Sequence, residues 1–284
     1  LKHIKINSKL NKIKTMYQSG SSSSGGATAR QWLTVAAVIA AIAINGISNA
    51  YPPAGKNTGE VSNTILGGVL ITPASYAFAI WGLIYIGLIA YSLYQVLPAQ
   101  RDQAELAKVS WGLIGACGFQ IAWIYVFLTY RFWGSVLLML GILACLAFAY
   151  VRSRAVRPTR RVRWLVQAPI SLYFGWITVA TVVNVAGAIY AMAIPVEPVE
   201  NFSGVIGAST GGIMATVVMM TISAALAAFV AIKYADVTYP AVAVWGLSAI
   251  AIRQSALFSI ALFGIALAAA LVIVIIQITR RGWF

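Results

Sequence analysis

The chain has 284 residues, 61% of them hydrophobic and only 9% charged, with a mean hydropathy of +0.85. Soluble domains carry about 25% charged residues, so this composition excludes a globule with an ordinary water-facing surface. The formal net charge of +14 does not point to nucleic acid: the basic residues sit in a tail and in short loops between apolar runs, where membrane-orientation signals belong, and not in one patch.

In chain order, residues 1–30 stand apart as a flexible basic tail. Leu1–Lys14 is lysine-rich, and Ser19–Gly26 is a Ser/Gly tract of linker composition. Met16, just ahead of that tract, is the candidate physiological start. No cleavage signal is evident, so the first apolar run is read as a retained helix.

Eight apolar spans follow, at Gln31–Ala50, Pro73–Leu97, Val109–Tyr130, Phe132–Val151, Trp164–Ala193, Gly212–Tyr234, Val237–Ile252 and Ala256–Thr279. Most reach the roughly 20 residues that an α-helix needs to cross a hydrocarbon core. The fold class is therefore an all-α, polytopic transmembrane helical bundle. The seventh span is short, with Pro240 in its first turn, where proline is tolerated; a re-entrant piece is the alternative. Between the first two spans, Tyr51–Thr72 is long for a hairpin. It holds Pro52-Pro53 and Gly55, and a partly apolar stretch from Thr64 is expected to lie along the membrane surface.

An amino terminus inside puts 17 of the 20 Lys and Arg on the inner side. These are six in the tail, Arg101 and Lys108, six arginines from Arg152 to Arg163, Lys233, Arg280 and Arg281. Only Lys56, Arg131 and Arg253 remain outside. That asymmetry predicts cytoplasmic amino and carboxyl termini and an even number of spans. The Arg152–Arg163 loop also suits anionic lipid headgroups. Gly112, Gly115 and Gly118 form a small-residue face read as ordinary packing within the bundle.

The six acidic residues, Glu60, Asp102, Glu105, Glu197, Glu200 and Asp236, all fall in loops or at span ends. Carboxylates in mid-membrane mark proton and ion pathways, so proton coupling is disfavoured. His3 is the only histidine, and Cys117 and Cys145 lack metal or redox spacing. No catalytic constellation stands out, so the protein is not expected to be an enzyme and no metal is expected.

Tryptophan placement carries the functional signal. Trp32, Trp111, Trp133, Trp164 and Trp283 lie at span ends, as an aromatic belt requires. Trp81, Trp123, Trp176 and Trp245 lie inside spans. Three of these belong to helix-spaced stripes: Phe78, Trp81 and Tyr85; Gln120, Trp123 and Phe127; Tyr173, Trp176, Ala180 and Asn184. Indole and amide groups need partners in hydrocarbon, so the stripes should face the bundle interior. Each alone is ordinary aromatic packing; together they describe a cavity for a flat, mostly apolar ligand with polar handles. Gly118, Gly175 and Ala180 would leave room.

The segment Thr72-Pro73-Ala-Ser-Tyr76-Ala-Phe78-Ala-Ile-Trp81-Gly-Leu-Ile-Tyr85 resembles the second helix of the TspO/MBR family, the tryptophan-rich sensory proteins that include the translocator protein. Gln120-Ile-Ala-Trp123 is similar to that family's third-helix Asn-x-x-Trp. Ser171-Leu-Tyr173-Phe-Gly-Trp176 through Asn184 is similar to its fifth helix. Order and spacing agree over residues 31–193. Thr72 stands where the family has the first proline of a pair, Tyr76 where it has its first tryptophan, and Gln120 where it has asparagine. Three further spans, within residues 194–284, have no counterpart in the five-helix family and are expected to form an appended unit.

The resemblance implies a five-helix bundle that binds a porphyrin, another tetrapyrrole or a sterol-like lipid, with the first loop as a lid, in a sensory, trafficking or stress role. The ligand set is then Tyr76, Phe78, Trp81, Tyr85, Gln120, Trp123, Tyr173, Trp176 and Asn184. A Leu146-x-x-x-Tyr150-x-Arg152 pattern matches a proposed sterol motif. A small-molecule transporter and an assembly partner of a larger membrane complex are the competing readings. The expected partners are the lipid bilayer, a hydrophobic small molecule, the anionic headgroups and a second copy of the chain. A bacterial inner or photosynthetic membrane is the expected location.

Overall fold

The structure, a computed structural model, describes the backbone of residues 2–193 and 209–280 and the side chains of residues 25–193 and 209–280. Eight long helices dominate the described residues, which contain no strand: α1 (Lys2–Ala50), α2 (Ile80–Val96), α3 (Ala104–Leu128), α4 (Phe132–Ala155), α5 (Ala168–Ala193), α6 (Thr210–Tyr234), α7 (Thr238–Arg253) and α8 (Phe258–Arg280). The expected polytopic bundle is therefore observed. Trp283, Glu197 and Glu200 lie outside the described residues.

The Ser19–Gly26 tract, expected as a flexible linker, lies within α1, whose membrane-length part is Gly25–Ala50. Extending a formed helix fixes one residue per added hydrogen bond, so a tract of weak propensity can be carried on a stable neighbour. Seven helices are long and apolar enough to cross a membrane. The exception is α7, whose 16 residues rise only about 24 Å. Its flanks are covered by protein: Tyr239, Val242, Leu247 and Ile250 are buried, and α5, α6 and α8 pack around it. A helix so enclosed need not match the bilayer's thickness.

Glycine sets the closest helix approaches. A Cβ on Gly112 would stand 2.9 Å from Ala149 Cβ and 3.0 Å from the Cys145 carbonyl, and one on Gly115 would stand 2.9 Å from Cys145 Sγ. These two glycines therefore let α3 lie against α4; Gly118 faces open space. At the start of α5, Pro169 lacks the N–H that would close on the preceding turn. A wide turn at Arg163–Gln167 absorbs the mismatch, and Gly87 of α2 receives the proline ring, with its absent Cβ 3.1 Å from Pro169 Cβ.

Polar bonds tie the helices at the end that carries Arg152–Arg163. Gln31 and Gln95 exchange side-chain bonds with each other's carbonyls at 2.5 and 2.9 Å, joining α1 to α2. Tyr91 Oη and Ser110 Oγ, both buried, meet at 2.8 Å between α2 and α3. Asp236, read from sequence as a span-end carboxylate, is 4% exposed. It accepts from Arg154 Nη2 at 2.6 Å, Tyr150 Oη at 2.9 Å, Ser171 Oγ, and the Thr238 N–H at 2.9 Å. A buried carboxylate persists only when paired and fully hydrogen-bonded. Here that pairing fastens the α6–α7 turn to α4 and α5.

Candidate functional site

A cavity of about 430 Å³ occupies the opposite half of the bundle, beneath the loop that joins α1 to α2. Its walls come from α1 to α5 and from that loop, with no residue of α6, α7 or α8 in the lining. The deep end is aromatic. Trp81 and Phe78 line it from the α2 side, Trp123 and Phe127 from α3, and Trp176 from α5. Phe78 meets Trp176 edge-to-face at 6.1 Å, and Trp123 stacks on Phe127 at 5.0 Å. Interlocked rings of this kind hold each platform in one orientation.

Of the nine residues anticipated for the site, the structure places Phe78, Trp81, Gln120, Trp123, Trp176 and Asn184 on the cavity wall. Tyr85 and Tyr173 stand one helical turn deeper, behind the wall. Trp81 rests on both, at 5.5 and 5.9 Å, and Tyr173, fully buried, donates its hydroxyl to Gln120 Oε1. They form a floor under the lining. Tyr76 is 43% exposed and lies edge-on to Trp245 of α7 at 5.3 Å, away from the cavity. Its segment, Ser75–Ala79, is a tighter 3₁₀ turn, which advances about 120° per residue instead of 100° and so breaks the α-helical register before α2 begins.

One donor on the wall, Trp123 Nε1, is buried and has no hydrogen-bond partner among the described residues, while the Gln120 amide nitrogen faces the Tyr85 hydroxyl. Both residues are more than nine-tenths buried, at 8% and 3% exposure. Asn184 Oδ1 lies 3.1 Å from Ser135 Oγ, which ties the amide of α5 to the start of α4. A buried donor left unmade is costly, so this end of the cavity suits a hydrogen-bond acceptor.

Sequence reasoning missed the mouth. Asn45 and Asn49 of α1, with Asn57, Thr58, Ser62 and Thr72 of the loop, give it a polar rim. Asn45 was accessible by the argument that found Gln120 and Asn184, since an amide inside an apolar span needs a partner. Of the small residues expected to leave room, Ala180 lines the cavity. Gly175 instead admits α7, with its absent Cβ 3.1 Å from Val242 Cβ.

The loop covers the cavity as a lid would. Asn57 and Glu60 form a reciprocal capping box, and Thr58 N–H donates to Asn49 Oδ1 at 3.2 Å. Tyr130 Oη donates to the Ala54 carbonyl at 3.1 Å. The stretch from Thr64, expected along the membrane surface, turns inward instead. Leu66, Val69 and Ile71 are buried, because the bundle offers these apolar side chains a dry face. Gly187 makes the fit possible, its absent Cβ lying 2.9 Å from Leu66 Cδ1. The sterol-motif residues Leu146 and Tyr150 are also inward and buried, with Tyr150 committed to Asp236, so two of the pattern's three residues face away from lipid.

A family model described as TSPO-like protein matches residues 31–278, a stretch that includes all of the cavity wall and continues through α6, α7 and nearly all of α8. No curated protein and no solved structure matches the chain. With the membrane-helix bundle and the continuous match over most of its length, the chain belongs to the TSPO-like family.

Proposed function

We propose that the protein binds a flat, largely apolar ring ligand, a tetrapyrrole such as a porphyrin or a sterol-like lipid, beneath the α1–α2 loop, and that it serves a sensory, trafficking or stress role and is not a catalyst. The observation that carries this reading is an unpaired buried donor, Trp123 Nε1, on a wall of tryptophan and phenylalanine. The rings supply stacking area, and the Trp123 indole N–H orients an acceptor on the ligand. No lining residue is Lys, Arg, His, Asp or Glu. Ionised carboxylates of a porphyrin would therefore remain at the Asn45–Asn49–Asn57 rim, where water and amides can solvate them.

Orientation is part of the same proposal. With both termini cytoplasmic, the cavity opens toward the outer side and the Arg152–Arg163 loop lies inside, in a bacterial inner or photosynthetic membrane. Within that loop Arg154 is held by Asp236, and Arg152 lies 3.9 Å from Glu105. Arg157, Arg160 and Arg161 are exposed and serve anionic headgroups.

The test is a titration of detergent-solubilised protein with protoporphyrin IX, read by tryptophan quenching, beside the absorption spectrum of gently purified material. Saturable quenching at one site per chain supports the reading, and strictly linear, unsaturable quenching removes it. Flux of the same porphyrin into proteoliposomes separates transport from binding.

A further inference from the structure

We propose that the carboxyl-terminal helices latch the lid: Arg253 and Gln254, at the α7–α8 turn, hold the α1–α2 loop closed over the cavity. This rests on reading the cavity as a ligand site, and it assigns α6 to α8 a role although they contribute nothing to the wall.

The bonds converge on one short stretch of chain. Arg253 Nη1 donates to Asn63 Oδ1 and, at 3.5 Å, to the Pro73 carbonyl. Gln254 Nε2 donates to the Leu70 carbonyl at 2.8 Å. Lower on α7, the Ala249 carbonyl accepts from the Ala74 N–H at 3.1 Å, and Trp245 Nε1 donates to the Ala77 carbonyl at 3.1 Å. The segment so held, residues 63–77, contains or borders the cavity residues Leu66, Val69, Thr72, Pro73 and Ser75.

Asn63 is the pivot. Its Nδ2 donates to the Gly59 carbonyl at 2.8 Å and Ser75 Oγ at 3.0 Å, so one amide joins the two ends of the lid's inner strip. Arg253 takes the remaining oxygen and thereby fixes which way that amide points. Arg253 is partly buried and has no carboxylate partner among the described residues. A guanidinium in that position is compensated by the lid's own oxygens. Lifting the lid strips those partners away, and closing it restores them, so the cation biases the loop toward the closed state. The far part of the loop is fastened separately, through Tyr130 to Ala54 and Asn49 to Thr58. Weakening the latch should therefore free residues 63–74 without releasing the whole loop. Because the side chains of the latch, Asn63, Arg253 and Gln254, lie outside the cavity lining, the latch governs the rates of entry and release together and leaves Kd nearly unchanged.

The experiment uses the full chain in detergent, as wild type, Arg253→Gln, Asn63→Ala and Arg131→Gln, the last removing a charge that has no bond to the loop. Hydrogen exchange reads the amides of Val69, Thr72 and Ala74 without any ligand, and stopped-flow displacement reads release of preloaded protoporphyrin IX. Loss of a charge-assisted bond should speed exchange and release roughly tenfold in the first two variants, with Arg131→Gln unchanged. Should Arg253→Gln not yield monodisperse protein, Asn63→Ala removes the same bond from the lid side. Unchanged amide exchange in the folded latch variants overturns the proposal. Faster exchange in a protein that takes up no porphyrin upholds the latch and instead removes the ligand reading.

Discussion

At the residue scale, the turn between α6 and α7 shows how a local cost is met by distant partners. Ala235 adopts φ +51°, a left-handed conformation that costs an L-residue with a Cβ about 1–2 kcal/mol. The next residue, Asp236, holds the turn in place through Arg154, Tyr150 and Ser171. Ala235→Gly should remove most of that strain and raise stability by about 1 kcal/mol, measured as a higher melting temperature in detergent. A lower melting temperature would mean that the alanine methyl makes packing contacts worth more than the strain. The identity of Asp236 as an acid at a span end was readable from the sequence. Its burial was not, since its partners lie 65 to 86 positions away and no local pattern reports such pairings.

At the element scale, the helical stripes were legible because they depend only on the 3.6-residue period. Phe78 with Trp81, Gln120 with Trp123 and Phe127, and Trp176 with Ala180 and Asn184 do converge on one cavity. Periodicity gives the face but not the depth, which is why Tyr85 and Tyr173 fall behind the wall. Tyr76, which belongs to no stripe and was included through the family resemblance, sits in a 3₁₀ turn and meets Trp245 instead. The glycine face on α3 was also legible, and its partner is now known. Gly112→Ala would drive a methyl to 2.9 Å from Ala149 Cβ and 3.2 Å from the Ala149 backbone nitrogen. Backbone cannot move aside as a side-chain tip can, so α3 and α4 should separate, at a cost of about 1–3 kcal/mol. Thermal melts check this, with Gly118→Ala, which meets nothing within 4 Å, expected to melt like the wild type.

At the scale of the whole molecule, the charge asymmetry and the cavity's position make one account. The arginine-rich end is closed by paired glutamines and the Asp236 cluster, whereas the other end carries the cavity, its polar rim and the lid. Reporter fusions made after Arg160 should therefore read cytoplasmic, and fusions after Tyr130 should read external. A cytoplasmic signal at Tyr130 would place the cavity mouth on the wrong side for the proposed orientation. That α7 is shorter than a membrane span was visible in the sequence. That it is enclosed by α5, α6 and α8 and reaches the lid was not, because the lid contacts join positions more than 160 residues apart.

The central claim is that the interior indoles form a ligand site, and the most direct measurement compares them with the interfacial ones. Trp81, Trp123 and Trp176 line the cavity, while Trp32 and Trp133 are 59% and 51% exposed on the outside of the bundle. Aromatic stacking is worth about 0.5–1.5 kcal/mol beyond area burial, so the loss of one platform should weaken binding by up to roughly tenfold. Protoporphyrin IX titrations of the five single Trp→Phe variants, each with a thermal melt, should give raised Kd values for the three interior changes and wild-type values for Trp32→Phe and Trp133→Phe. Equal affinities across all five, with unchanged melts, would contradict the account and leave a bundle whose aromatic residues only pack.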